Sequence, residues 1–203
     1  MNLQTSFIRN CVLGAALLLG PVLAAQTQPR LVADFSLRNE RNEEVKLSAL
    51  SGKKAVVVVF TSSNCVWATK YESRLESLYR EFEPKQVAFL AINSNDSSLS
   101  ALDASARMRE VSPYPFPYLK DDTQRVAKLF GATRNPEAFV LIPRPGKGFE
   151  IAYQGKVDDN PLDAGMVRYN YLQEALQSVL AGKAPAVPET PASGCNIKWN
   201  APR

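Results

Sequence analysis

The chain of 203 residues contains no histidine and only three cysteines. The absence of histidine removes the commonest general base, the commonest metal ligand and the usual partner of a nucleophilic cysteine or serine. Any chemistry must therefore come from cysteine, carboxylate, tyrosine, lysine or arginine side chains. We expect no metal ion and no cofactor.

The sequence also lacks a run of like charge. Its formal net charge is +4, and the basic residues are scattered among acidic ones, so the charge pattern does not support nucleic acid binding. Two short acidic stretches, Asp121-Asp122 and Asp158-Asp159, lack the ligand spacing of a calcium loop. We predict that both are solvated turns.

Residues 1–25 have the pattern of a secretory signal peptide. A polar start with Arg9 precedes an apolar segment, residues 12–23, which ends in small residues before Gln26. This segment is shorter than the ~20 apolar residues of a typical membrane span. We expect cleavage, export to the periplasm or the exterior, and no membrane association of the mature chain. The alternative is an uncleaved N-terminal anchor.

Cleavage would remove Cys11 and leave Cys65 and Cys195 in an oxidising compartment. Two interpretations of this pair remain open. The cysteines form a permanent staple between the C-terminal tail and the domain, or they form a redox couple that opens and closes.

Cys65 lies where a strand pattern changes into a helix pattern. Residues 55–60 form an uninterrupted apolar run with four valines, which is typical of a strand buried on both faces. After Cys65, apolar residues recur at helical spacing as far as Phe82. Cys65 is therefore expected at a helix N-terminus, where the dipole and free N–H groups favour a thiolate. The alternative is a buried structural thiol.

The remaining pattern predicts one domain over residues 26–182, followed by a tail, residues 183–203. We predict an N-terminal β-hairpin from residues 32–37 and 45–47, a parallel strand over 86–92, a polar loop over 93–98, a helix over 99–111, an antiparallel strand pair from 138–142 and 149–155, and a last helix over 167–180. The tail is rich in proline and has no periodicity, so it has no reason to be ordered by itself. Cys195 and Trp199 near its end suggest that it docks.

Six sequence blocks in this order resemble the thioredoxin-like redoxins, and within them the peroxiredoxin-like (AhpC/TSA-type) branch of exported redoxin-domain proteins. The blocks are residues 60–71, 91–95, 115–121, 131–141, 153–159 and 194–199. The resemblance implies an α/β thioredoxin-like fold, with a central mixed sheet flanked by helices, an N-terminal hairpin and a proline-rich C-terminal tail.

The resemblance also implies roles for individual residues. Cys65 would be the reactive thiolate and Cys195 the resolving cysteine. Pro136 resembles the cis-proline that faces the reactive cysteine in such folds. Arg134 would place a guanidinium near Cys65, where it favours the thiolate; its alternative is a surface arginine paired with a carboxylate.

The chain departs from these relatives at four positions. Thioredoxins have a second cysteine where Ala68 stands, so a local dithiol is excluded. Other members of the branch have a cysteine where Ser62 stands and a proline where Val66 stands, and Val58 replaces a peroxiredoxin proline.

We therefore predict a thiol-dependent oxidoreductase that acts on a protein or small-molecule disulfide or a peroxide and is regenerated by an external dithiol. Hydrogen bonds to the substrate would come from Thr61, Ser62 and Asn64, and Trp67 and Pro136 would line the substrate surface. The alternative is a non-catalytic peptide-binding or protein-binding module with a structural or vestigial cysteine, which uses the groove beside Trp67 and Pro136.

Overall fold

The structure, a computed structural model, describes residues 29–110 and 112–201. The predicted signal peptide lies outside these residues. In the part of the chain that is described, no helix is long and apolar enough to cross a membrane.

Ten strands and five α-helices lie within the described residues. The strands are β1 Leu31–Val32, β2 Ser36–Asn39, β3 Glu44–Lys46, β4 Ala55–Phe60, β5 Val87–Asn93, β6 Tyr118–Lys120, β7 Arg134–Asn135, β8 Glu137–Arg144, β9 Gly148–Gly155 and β10 Cys195–Asn196. The helices are α1 Val66–Thr69, α2 Glu72–Phe82, α3 Ser105–Glu110, α4 Arg125–Phe130 and α5 Tyr171–Leu180.

Eight strands form one mixed sheet in the order β1-β9-β8-β4-β5-β6-β2-β3. Strand β5 is parallel to both β4 and β6, and the other neighbours in the sheet are antiparallel. Strands β7 and β10 form a separate antiparallel pair. These features confirm the predicted α/β fold with a central mixed sheet.

The central strand β4 explains the two-layered core. All six of its residues are buried, and successive side chains of a strand point to opposite faces. The odd-numbered side chains pack in one apolar cluster with α2 and α5, and the even-numbered ones pack in a second cluster with α4. The valine run is therefore apolar throughout because helices cover both faces.

The predicted first strand, residues 32–37, is two strands in opposite halves of the sheet. Strand β1 pairs with β9, whereas β2 forms the expected hairpin with β3 and also pairs with β6. Asp34, between them, accepts a hydrogen bond from the Ser48 N–H at 2.8 Å. This side-chain contact replaces strand pairing where the chain crosses from one half of the sheet to the other.

Three predicted helices differ from the observed ones. The helix after Cys65 is broken into α1 and α2 at Tyr71, whose hydroxyl donates to Asp158. The predicted helix over 99–111 is a 3₁₀ turn, Ala101–Asp103, followed by α3. The last helix begins at Tyr171, because Asp159 accepts the backbone N–H groups of residues 168 and 169 and holds the preceding chain outside the helix.

The prediction of solvated acidic turns was wrong for one residue of each pair. Asp158 is 3% exposed and forms an ion pair with Arg74 at 2.6 Å. Asp121 is fully buried and accepts from the Ser94 hydroxyl and the Ala127 N–H. Both carboxylates are buried because they have partners distant in sequence.

Candidate functional site

Cys65 lies at the carboxyl edge of the sheet. Strand β4 ends at Phe60, and the Cys65 N–H donates to the Ser62 carbonyl at 3.2 Å within the turn that follows. Cys65 then caps α1, and its side chain is 1% exposed. Helix α1 is a single turn, so its dipole is weaker than that of the long helix expected from the sequence.

Cys65 forms a disulfide bond with Cys195. Their Cα atoms are 6.0 Å apart, although 130 residues separate them in the sequence. Strand β10 holds Cys195 opposite Asn135 in β7. The peptide bond between Asn135 and Pro136 is cis, and the Asn135 carbonyl oxygen lies 3.0 Å from the Cys65 sulfur. The tail and the cis-proline segment thus lie against the same side of Cys65 and cover it together.

A buried carboxylate, Asp103, supports the turn before Cys65. It is fully buried and accepts hydrogen bonds from the Ser62 hydroxyl at 2.6 Å, the Asn93 amide at 2.9 Å and the Asn95 amide at 3.1 Å. The Ser62 oxygen in turn accepts the Asn64 N–H at 3.0 Å. Asp103 therefore fixes the orientation of Ser62, and Ser62 fixes the turn.

Asn95 connects this turn to the tail. Its amide nitrogen donates to the Ser62 oxygen, and its amide oxygen accepts from the Asn135 amide at 3.1 Å and from the Lys198 N–H at 3.0 Å. Asn135 is fully buried, and its side-chain oxygen has no hydrogen-bond partner among the described residues. Departure of the tail would remove one of the two donors to the Asn95 oxygen.

Three further polar side chains surround the turn, of which Tyr118 and Lys120 are buried and Tyr114 is half-buried. The Tyr114 hydroxyl is 3.0 Å from the Thr61 hydroxyl, and the Tyr118 hydroxyl is 3.4 Å from that of Ser63. Burial raises the pKa of both tyrosines, to about 12 for Tyr118, so both are protonated at neutral pH. Burial also lowers the pKa of Lys120, whose ammonium group donates to the Asn95 carbonyl.

The tail after Cys195 is docked along the domain. Ile197 is 2% exposed, packs in the α4 cluster, and donates its N–H to the Thr133 carbonyl at 2.9 Å. The Lys198 carbonyl accepts from the Asp96 N–H and the Gln124 amide, both at 2.8 Å. The tail is therefore ordered by the domain, as the positions of Cys195 and Trp199 suggested.

A second anchor holds the tail before Cys195. The Thr190 oxygen accepts from the Lys156 N–H at 2.9 Å and lies 3.0 Å from the Tyr153 hydroxyl. A Cβ atom added to Gly155 would be only 2.2 Å from that oxygen. The segment between Thr190 and Ile197 is thus fixed at both ends.

The structure places the predicted site residues in different settings. The Arg134 guanidinium donates to Asn196 of the tail, and its side chain is half-buried. Thr61 contacts Tyr114, and Ser62 belongs to the Asp103 network. Of the others, Asn64 is exposed, Trp67 is half-buried in α1, and Pro136 is buried after the cis bond. The side-chain partner found for Arg134 among the described residues is therefore the amide of Asn196, which follows Cys195, and not the carboxylate of the alternative interpretation.

Five residues of the site were not predicted from the sequence: Asn95, Asp103, Gln124, Asn135 and Ile197. Asn95 had a signal, because it follows a strand in the polar loop predicted at the carboxyl edge. Asp103 was included in a predicted helix, and Ile197 stands in a stretch without periodicity.

The two cysteines can hold two electrons as a pair of thiols and give up these electrons when they form the disulfide. Within residues 29–110 and 112–201, no group of three or more histidine, cysteine, aspartate or glutamate side chains could hold a metal ion. The reactive groups of the site are the two sulfur atoms.

Comparisons with known proteins agree with this geometry. The model of the AhpC/TSA family matches residues 30–159. An uncharacterized conserved protein from Geobacillus kaustophilus is 29% identical with a TM-score of 0.79, and the match covers 86% of this chain and 93% of that chain. A hypothetical protein from Sinorhizobium meliloti 1021 is 31% identical with a TM-score of 0.78, over 88% of this chain and 98% of that one.

A putative thiol:disulfide interchange protein DsbE from Chlorobium tepidum shares the fold, with 18% identity, a TM-score of 0.55, and coverage of 77% of this chain and 96% of that chain. The search of curated proteins found no match. The family model spans more than half of the chain, including β4, Cys65 and the cis-proline segment. The chain belongs to the AhpC/TSA family of thioredoxin-like redoxins.

Proposed function

We propose that the chain is an exported thiol-dependent oxidoreductase, in which Cys65 is the reactive thiolate and Cys195 resolves the intermediate. The disulfide between a cysteine at the carboxyl edge of β4 and a cysteine on a docked tail carries this proposal. Export is supported by the pattern of residues 1–25 and by the use of a disulfide, which persists in oxidising compartments.

Two substrate classes fit the same pair of sulfur atoms. With a disulfide, the Cys65 thiolate attacks one sulfur, forms a mixed disulfide and releases the other sulfur as a thiolate. With a peroxide, the thiolate attacks one oxygen and becomes a sulfenic acid, while the leaving oxygen takes a proton from solvent.

The second step closes the disulfide between Cys65 and Cys195. The Cys195 thiolate attacks the Cys65 sulfur and displaces either the substrate thiolate or, with a proton, the sulfenic hydroxyl as water. An external dithiol then supplies two electrons and restores both thiols. The 6.0 Å separation of the Cα atoms in the docked tail suits this bond, so Cys195 can close it when the tail is in its groove.

The polar groups around the turn would orient the substrate. Thr61, Ser62 and Asn64 lie in the turn that precedes Cys65, and Asp103 holds Ser62 in place. Pro136 and Trp67 would form the walls of the substrate surface. Arg134, which donates to Asn196 beside Cys195, would favour the Cys65 thiolate with its positive charge.

The test is single-turnover oxidation of the reduced protein by hydrogen peroxide or oxidised glutathione, quenched by alkylation and mapped by mass spectrometry. We expect wild type to form the disulfide between Cys65 and Cys195. Cys195→Ser should accumulate a sulfenic acid or a glutathione adduct on Cys65, and Cys65→Ser should lose the reaction. Ser77→Ala, at an exposed position of α2 outside the site, is the control and should behave as wild type.

A Cys65→Ser protein that consumes oxidant as fast as wild type would contradict the proposal. So would a Cys195→Ser protein in which Cys65 stays unmodified, because the first step needs only the Cys65 thiolate.

The alternative is a non-catalytic module in which the disulfide is a permanent staple. Two observations favour it: Cys65 is 1% exposed, and the tail is anchored on both sides of Cys195. The midpoint potential separates the two functions, since structural disulfides of secreted proteins lie below about −300 mV. A midpoint well above that value favours the oxidoreductase.

A further inference from the structure

Gln124, the residue before α4, has a backbone conformation that its residue type does not favour. Its φ is +58° and its ψ is 17°, in the left-handed region that glycine and asparagine adopt far more readily. It also holds the N-cap position of α4, yet its side chain makes no capping hydrogen bond. Asparagine or glycine would suit both roles better, so a contact elsewhere must explain the glutamine.

The side-chain amide of Gln124 joins the C-terminal tail to the loop after β5. Gln124 is 2% exposed, and its amide nitrogen donates to the Ser94 carbonyl at 2.7 Å and to the Lys198 carbonyl at 2.8 Å. Its amide oxygen accepts the Asn200 N–H at 2.8 Å. Both amide hydrogens are thus used, and a flipped amide would direct its oxygen at two carbonyl oxygens.

The domain side of this contact is itself held in place. Ser94 is fully buried, and its hydroxyl donates to Asp121 at 2.9 Å. The same carboxylate accepts the Ala127 N–H of α4 at 3.0 Å, and the Asp121 carbonyl accepts the Gln124 N–H at 3.0 Å. The Gln124 amide therefore extends to the tail from a buried, hydrogen-bonded base.

The tail side of the contact lies close to the resolving cysteine in sequence. Lys198 is three residues after Cys195, and three residues span at most about 10 Å. Asn200 adds a second attachment to the same amide. While Gln124 holds both residues, the Cys195 sulfur has little freedom to leave the neighbourhood of Cys65.

We propose that Gln124 is a positioning residue for the second chemical step, because its amide holds the tail so that Cys195 stays beside Cys65 during the first step. The proposal rests on the proposed function, in which the Cys195 thiolate attacks the Cys65 sulfur and displaces the bound thiolate. Gln124 takes no part in that exchange of bonds. It raises the effective concentration of the Cys195 thiol.

The experiment mixes the reduced full-length protein with excess oxidised glutathione, quenches it rapidly with acid and maps the products by mass spectrometry. The time course gives two rate constants. One describes the attack of Cys65 on glutathione, which forms a mixed disulfide, and the other describes closure by Cys195, which releases glutathione as a thiol.

Gln124→Asn is the first variant, because asparagine suits the left-handed conformation but its amide is one methylene too short to reach the tail. Two hydrogen bonds to the tail are lost, each worth roughly a factor of 2–10. We therefore expect closure to be about tenfold slower and the first step to be unchanged. Gln173→Asn is the matched control on α5, where Gln173 donates to Glu81, and it should change neither rate constant.

A second pair of variants tests the same contact from the tail. Asn200 is exposed, so its substitution leaves the folding of the domain intact. Asn200→Pro removes the N–H that Gln124 accepts, and Asn200→Ala keeps it. We expect the proline variant to close about threefold more slowly than the alanine variant, as the loss of one hydrogen bond implies. This difference should vanish when Gln124→Asn is also present.

Three results would overturn the proposal: closure of Gln124→Asn at the wild-type rate, equal slowing of both steps, or equal closure of the two Asn200 variants. If Gln124→Asn does not fold by circular dichroism, the Asn200 pair decides alone. A wild-type protein that forms neither the glutathione adduct nor the disulfide would refute the proposed function instead. A wild type that completes both steps, with variants that close equally fast, refutes only the role of Gln124.

Discussion

Replacing Ile197 by alanine tests whether the tail leaves its groove when the disulfide is reduced. Ile197 is 2% exposed and is the buried apolar side chain of the segment after Cys195. If the tail is docked only in the oxidised protein, the loss of Ile197 packing destabilises only the oxidised form. If the tail is docked in both redox forms, the substitution destabilises both by the same free energy.

The expected shift of the reduction potential follows from this difference. Truncation of a buried isoleucine to alanine costs about 2–5 kcal/mol. For a two-electron couple, about 30 mV corresponds to 1.4 kcal/mol. A cost of about 3 kcal/mol confined to the oxidised form therefore raises the midpoint potential by about 60 mV, since the disulfide becomes easier to reduce.

The assay equilibrates the protein in dithiol buffers of defined potential and measures the reduced fraction by alkylation and mass spectrometry. Ile92→Ala is the matched control, because Ile92 is fully buried in the same cluster but lies on β5. It should lower thermal stability without changing the midpoint. An Ile197→Ala protein with lower stability and an unchanged midpoint would show that the tail is docked in the reduced protein as well.

Three further predictions concern the surroundings of the disulfide. Asp103→Asn should lower the free energy of unfolding in urea by about 2 kcal/mol, because an amide nitrogen would face the donors that the carboxylate now accepts. Burial lowers the pKa of Lys120 below its ordinary value of 10.5. At a pH between the folded and the unfolded pKa, the unfolded protein therefore holds a proton on this lysine that the folded protein has released. Wild type should therefore gain stability relative to Lys120→Met as pH rises through the folded pKa towards 10.5. Finally, reduced glutathione should attack the sulfur of Cys195 and release the Cys65 thiolate, because Cys195 is half-buried whereas Cys65 is only 1% exposed. A quenched time course with peptide mapping detects which cysteine carries the glutathione.

Each of these three predictions has a result that contradicts it. Asp122→Asn is the control for the first, because Asp122 is exposed; equal stability of both variants would show that the buried carboxylate is dispensable. Parallel pH profiles of wild type and Lys120→Met would show that burial does not perturb the lysine. Glutathione found first on Cys65 would show that access does not direct the attack.

The central strand and the place of Cys65 could be predicted because the signals are local. The valine run needs apolar cover on both faces, and it is followed directly by small polar residues and the cysteine. The carboxyl edge of a parallel strand pair then brings the loop after β5 to the same side as Cys65. Both features depend on periodicity over fewer than ten residues.

The surroundings of Cys65 could not be predicted because they depend on pairing between distant segments. Arg134 contacts Asn196 as a consequence of the β7–β10 register. Asp103 reaches Ser62 across 41 residues, and no spacing rule marks it as different from a helical surface residue. The break at Tyr71 likewise coincides with a partner, Asp158, 87 residues away.

The most direct test of the account is a redox cycle of the folded protein. The reduced protein is mixed with one equivalent of hydrogen peroxide or oxidised glutathione, and the oxidised product is then treated with a dithiol while circular dichroism reports the fold. We predict that the disulfide between Cys65 and Cys195 forms in the first step and opens in the second, with the fold retained in both. A disulfide that opens only after denaturant unfolds the protein would contradict the account and identify the bond as a permanent staple.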